Sequence, residues 1–218
     1  MKATHLQDPA NDLRYLLNRG YPRKAALELV GNRYGLIFDQ RHLLHRGVFS
    51  DAEAKSRRRK LLRLRELHDQ PLAIDGHNVL ITIEAGLSGS PLIMADDGFL
   101  RDISGISGNF KKTSNTQHAI RLVLQTLRKA KPRDVLFLFD SPISKSGSLA
   151  QEVRALLSQE RFSGDAQAMK VPEQVLMGFR GIVATSDTAI IDQSEKVFDL
   201  AGFILRQHVK PTSLLRLR

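Results

Sequence analysis

The chain predicts an α/β protein: a mainly parallel sheet sandwiched by helices, preceded by a small all-α region. Three observations carry this. From residue 71 onward, short apolar runs alternate with amphipathic helical stretches. The first seventy residues contain no strand-like run, and acids recur where the apolar runs end. Alternating strand and helix patterns favour a parallel sheet covered on both faces. The expected division is therefore residues 1–70, a basic helical region, and residues 71–218, an α/β domain.

The helical region reads as three short helices. Pro9 opens "PANDLRYLLNRG", Pro22 opens "PRKAALELVGNRYG", and "DQRHLLHRGV" follows, each with proline at its first turn or glycine at its end. In the second, Ala25, Ala26, Leu29 and Val30 form one apolar stripe. The outline resembles helix-turn-helix modules, although many small helical bundles bind no nucleic acid. "AEAKSRRRKLLRLRELHD" then reads as a basic linker helix, in which Arg57, Arg58 and Arg59 are candidate phosphate contacts; a merely solvated connector is the alternative.

In the second part the expected strands are "LAID" (72–75), "PLIMAD" (91–96), "DVLFLFD" (134–140), "AQAMKV" (166–171), "GIVATSD" (181–187) and "GFILRQHV" (202–209). Between them, Ile120, Val123, Leu124 and Leu127 fall at helical spacing, as do Leu149, Val153, Leu156 and Leu157, with Ser148 and Gln151 spaced as a capping box. A last helix is expected over "TAIIDQSEKVFDLAG".

Composition bounds the function. The 218 residues carry 33 Lys/Arg against 23 Asp/Glu, net +10, and the isoelectric point near 10.1 points to a polyanionic partner. Residues 1–70 hold 15 Lys/Arg and 8 Asp/Glu, so the helical region carries most of the excess. The absence of cysteine excludes disulfides, thiolate metal sites and cysteine nucleophiles. No apolar stretch approaches the ~18 residues of a membrane span, and the start "MKATHLQDPANDLRY" lacks a signal-peptide core. A cytoplasmic protein without a membrane partner is expected.

In open α/β sheets the functional crevice lies beyond the carboxyl ends of the strands. Acids stand there: Asp75, Asp96 and Asp97, Asp140 and Asp187, with Asp192 further on. Any one of them serves equally as a turn or cap residue. If Asp75, Asp140 and Asp187 lie on adjacent strands, their like charges raise one another's pKa unless a cation neutralises them. Mg²⁺ or Mn²⁺ accepts such an oxygen set, with Asn78 supporting a carboxylate or a bound water.

These residues also carry a resemblance. "IDGHNVL" resembles the first-strand motif of PIN-like and NYN-type ribonucleases, with His77 where an aromatic usually stands, and "VATSDTAIID" is similar to their late strand motif. The whole chain resembles an uncharacterised prokaryotic family in which a helical region precedes such a domain, through "GYPRKAALELVGNRYGL", "DGFLRDISG" and "FDSPISKSG". The resemblance implies a sheet of order 3-2-1-4-5 and metal-dependent hydrolysis of phosphodiester bonds, usually in RNA. It implies catalytic roles for Asp75, Asn78, Asp140, Asp187 and Asp192, the four aspartates also holding Mg²⁺ or Mn²⁺. Two departures stand out: the last two acids are five residues apart rather than two, and the acid expected before the late strand has only Glu173 as a local candidate.

Two loops complete the expectation. "ADDGFLRDISGISGNFKKT" offers Arg101, Lys111 and Lys112, and "DSPISKSGS" offers Lys145 at a helix start, where anions are favoured. RNA is the expected partner and DNA the alternative. The haloacid-dehalogenase pattern fails because His77 stands where its second Asp belongs, and Toprim proteins require a Glu on the first strand. The rival reading is a non-catalytic nucleic-acid-binding or adaptor protein with a PIN-like body.

Overall fold

The computed structural model describes residues 3–103, 114–208 and 214–217. A 3-10 turn (Ala3–Leu6) leads into α1 (Gln7–Asn18), α2 (Arg23–Arg33), α3 (Phe38–Gly47) and α4 (Asp51–Lys60). A second 3-10 turn (Leu64–Leu67) leads to β1 (Pro71–Asp75), α5 (Gly76–Leu87), β2 (Leu92–Met94), β3 (Leu100–Asp102) and α6 (Ser114–Ala130). Then follow β4 (Asp134–Asp140), α7 (Ser146–Gln159), β5 (Gly164–Met169), α8 (Pro172–Met177) and β6 (Ile182–Ala184). The chain closes with α9 (Thr188–Gln193), β7 (Lys196–Phe198), α10 (Leu200–His208) and β8 (Leu214–Arg216).

Five strands form one parallel sheet in the order β5-β4-β1-β6-β7. Numbered among themselves along the chain, they run 3-2-1-4-5. Alternate residues feed opposite faces, as the pleat requires. Leu72, Ile74, Phe137, Phe139, Ile182 and Ala184 pack with α5, α6, α7 and α10. Ala73, Leu138 and Val183 pack with Leu176 of α8 and Ile190 of α9 on the other face. Helices therefore cover both faces, and the strand ends are left as the accessible edge.

Several expectations are corrected. The run at 91–96 does not join this sheet: β2 pairs antiparallel with β3 and parallel with β8 in a separate three-stranded sheet. Asp96 and Asp97 therefore leave the crevice. Residues 202–208 are helical because Ala201, Ile204 and Leu205, at i, i+3 and i+4, are all buried, and α10 packs on α5. The stretch read as one helix at 188–202 breaks at Ser194, whose hydroxyl donates to the Ile190 carbonyl, and contains β7. Ser148 and Gln151 do not cap α7, which starts at Ser146.

The basic linker helix also ends early, at Lys60, because Leu61 and Leu62 run along β7: Leu61 bridges Val197 and the Leu62 N–H donates to the Val197 carbonyl at 2.8 Å. This contact covers a sheet edge that would otherwise be open to pairing. In α2 only Ala26 and Val30 of the expected stripe are buried, and Leu29 is exposed. The helical region closes its core partly on the second sheet, through Ile93 and Leu217.

Candidate active site

Asp75 ends β1 and starts α5 in the same step. The turn is possible because residue 76 is glycine: a Cβ there would stand 2.3 Å from the Phe139 ring. Asp75 is buried, accepts a 2.8 Å hydrogen bond from the Thr185 hydroxyl, and is further held by the Asn78 backbone. Burial pushes its carboxyl up to about 7, with Asp187 and Asp140 adding to the rise against the opposing pull of the Thr185 hydroxyl. A carboxylate without a compensating positive charge is costly in such surroundings.

Asp187 follows β6 and caps α9, its Oδ1 accepting from the Ala189 and Ile190 N–H groups. Its own N–H donates to the Thr185 hydroxyl oxygen, so one threonine ties Asp75 to Asp187. Asn78 Oδ1 accepts from the Ser186 N–H at 2.9 Å and from the Ser186 hydroxyl at 3.0 Å, locking the first turn of α5 to the β6–α9 turn. The strand order reverses between β1 and β6, the topological switch point where ligands of such sheets bind.

Asp140 ends β4 on the other side of β1. Its N–H donates to His77 Nδ1 at 3.0 Å, so His77 carries its proton on Nε2 when neutral. Burial holds the His77 imidazole below its ordinary value, while Asp140, 3.3 Å away, pulls the other way. The His77 ring also packs edge-on against Phe139. Its place is that of a packed residue in the first turn of α5 that fixes Asp140.

The structure thus brings Asp140 and Asp187 each within electrostatic reach of Asp75. Among the described residues, no three His, Cys, Asp or Glu side chains form a ready-made metal cage. The donor set still fits a hard cation, because Mg²⁺ is commonly held by one or two carboxylates, with waters and substrate phosphates completing its shell.

Asp192 is not part of this set. Both its oxygens are taken by Arg57, at 2.7 and 2.8 Å. Its five-residue offset from Asp187 places it beyond the cap, facing α4. Arg57 is accordingly buried rather than displayed, and also reaches Asp97 at 3.4 Å. Asp97 is gripped by both terminal nitrogens of Arg101 at 2.8 Å each. Arg101, expected on a surface loop, is 2% exposed and donates from Nε to the Ser186 carbonyl. Asp96 pairs with Arg14 of α1, and Asp102 accepts from Thr82 and faces Arg46.

Arg58 and Arg59 are exposed, as expected, on the solvent side of α4. Lys145 is exposed immediately before α7, with a left-handed backbone (φ 67°) that few L-residues adopt. Glu173 lies in the first turn of α8. Lys111 and Lys112 lie outside the described residues.

Sequence reasoning missed the contribution of the helical region. Arg23, His42, His45 and Arg46 join Arg57 and Arg101 around a cavity of about 310 Å³ that also touches Asn78, Ser186 and Asp187. His42, His45 and Arg46 share one helical spacing on α3, but nothing local announces the cavity, because the others come from α2, α4, α5, β3 and the β6–α9 turn. Thr185 and Ser186 were missed as well, although they sit inside a quoted motif; a hydroxyl's role depends on what the neighbouring strand places opposite it.

Comparison with known proteins adds kinship without an activity. Residues 64–203 match a domain of unknown function, DUF5616, and residues 5–60 match a protein of unknown function, DUF434. An uncharacterised protein of Methanocaldococcus jannaschii is 35% identical over 192 residues, covering 88% of this chain and 91% of the relative. No solved structure matches the chain.

Proposed function

The chain belongs to the DUF5616 family, and from the geometry of its own strand ends we propose that it is a divalent-metal-dependent ribonuclease on a PIN-like body. One observation carries the reading: a buried Asp75 whose carboxyl is pushed up to about 7, flanked by Asp140 and Asp187 at the switch point of a parallel sheet. A cation bound beside Asp75 would neutralise its carboxylate and could there meet a phosphodiester.

Asp75 and Asp187 would hold the cation, with Asp140 completing the set. Bound there, Mg²⁺ or Mn²⁺ would supply an activated water and neutralise charge on the leaving oxygen. The chain's own residues prepare that position. Thr185 holds Asp75 and receives the Asp187 N–H, Asn78 fixes the β6–α9 turn, and the capped Oδ1 of Asp187 leaves Oδ2 for the ligand. Lys145, exposed before α7 and beyond Asp140, would meet a phosphate of the strand.

A second reading, a non-catalytic nucleic-acid-binding protein, is favoured by the lack of a ready-made metal cage among the described residues. Cleavage of end-labelled single-stranded RNA with Mg²⁺ or Mn²⁺ separates the two. The expected result is cutting by the parent that stops with EDTA and falls at least a hundredfold in Asp187→Asn. A folded parent that binds RNA without cutting it moves the protein to the second reading.

A further inference from the structure

The arginine-lined cavity is not explained by the acids. It opens between α2, α3 and α4 on one side and the β6–α9 turn on the other, and its wall carries four arginines and two histidines against Glu53 and Asp187. Its volume, about 310 Å³, is at the small end of ligand pockets. The Phe49 ring forms one side of it, with the guanidinium carbons of Arg23, Arg57 and Arg101 at 4.5, 4.4 and 5.3 Å from the ring centroid. One aromatic ring thus gathers three cations that would otherwise repel.

Arg57 and Arg101 are fixed from behind by Asp97 and Asp192. Arg23 and Arg46 are held less completely. Arg23 Nη2 donates to the His45 and Val48 carbonyls, and Arg46 Nη2 meets Asp102 only at 3.4 Å. Among the described residues, Arg23 Nη1 and Arg46 Nε are buried without an acceptor, a state that costs free energy until an anion completes it. The local field has the same sign: His45 is held below its ordinary value by burial first, then by Arg23, His42 and Arg46.

We propose that this cavity is a phosphate subsite, taking one phosphate group of an RNA strand while the neighbouring phosphodiester lies at Asp187. Guanidinium forks match phosphate oxygens in pairs, and oriented arginines lose little freedom in binding them. The position relative to Asp187 rests on the nuclease reading; the phosphate binding does not.

The test is binding in EDTA, where no cleavage occurs. The probes are inorganic phosphate and an RNA tetramer bearing either a 5′-phosphate or a 5′-hydroxyl. Arg46→Gln is expected to weaken the binding of phosphate and of the preferred tetramer at least tenfold. Arg154→Gln, whose partner is Asp165 on β5, is expected to change it less than twofold. A preference for the 5′-phosphate identifies a terminal phosphate as the occupant, and equal affinity for the two tetramers an internal one. Equal losses in the two variants, or a parent that ignores phosphate, overturn the proposal. Should Arg46→Gln fail to fold, the parent still decides: its His45 resonance must titrate at higher pH with phosphate bound, and an unmoved titration rejects the subsite. RNA cleavage without phosphate binding refutes the subsite alone, and phosphate binding without cleavage refutes the nuclease alone.

Discussion

Asp75 is the residue on which the site turns, because the fold favours its neutral form while the proposed chemistry requires the charged one. With its carboxyl raised from 3.8 to about 7, both folded and unfolded chains hold the proton at low pH. Between about pH 4 and pH 7 the folded chain keeps a proton that the unfolded chain has released. Stability therefore falls across that window as pH rises, by up to about 4 kcal/mol. Asp75→Asn keeps an acceptor for the Thr185 hydroxyl and removes the charge. It is expected to melt several degrees above the parent at pH 8 and level with it near pH 4, by calorimetry. A variant less stable than the parent at pH 8 would show that the carboxylate is already neutralised. The sequence displayed Asp75, Asp140 and Asp187 because acids at strand ends are visible as pattern. It hid the hydroxyl of Thr185 and the burial that raises Asp75, since both depend on what β6 places beside β1.

At the scale of elements, α4 separates two kinds of arginine that look alike in "RRR". Arg57 turns inward to Asp192 and Asp97, and Arg58 and Arg59 turn outward. Arg57→Ala strips Asp192 of its two-pronged partner and leaves buried Asp97 to Arg101, and is expected to cost about 1–3 kcal/mol, read as a lower denaturation midpoint. Replacing Arg58 and Arg59 together with Ala should leave stability nearly unchanged and reduce the salt slope of RNA binding by up to about 2. An unchanged slope would remove the outer face of α4 from the RNA surface. The sheet was legible because its strands are bounded apolar runs with helices between them. The second sheet was not, since the three-residue strands of β2, β3 and β8 carry too few alternations to fix a partner. The apolar run Phe203, Ile204 and Leu205 reads equally as strand or helix until α5 is seen beneath it.

Over the whole molecule, the helical region and the α/β body share one structure. Ile93 and Leu217 complete the helical core, Arg14 reaches Asp96, and Arg57 reaches Asp192. A chain beginning at residue 64 would expose those apolar side chains and take Arg14 from Asp96 and Arg57 from Asp97, and is expected to lack a cooperative unfolding transition. A sharp transition in that shorter chain would show the seam to be dispensable. The two-part organisation was readable in charge and pattern, whereas the cavity at the seam was not, because it is assembled from distant stretches. The most direct measurement of the central claim is the pH dependence of kcat/KM for RNA cleavage at subsaturating Mg²⁺. The account predicts a rise of about tenfold per pH unit that bends near pH 7, where Asp75 gives up its proton. A flat profile between pH 5.5 and 8, or no metal-dependent product at any pH, would contradict it.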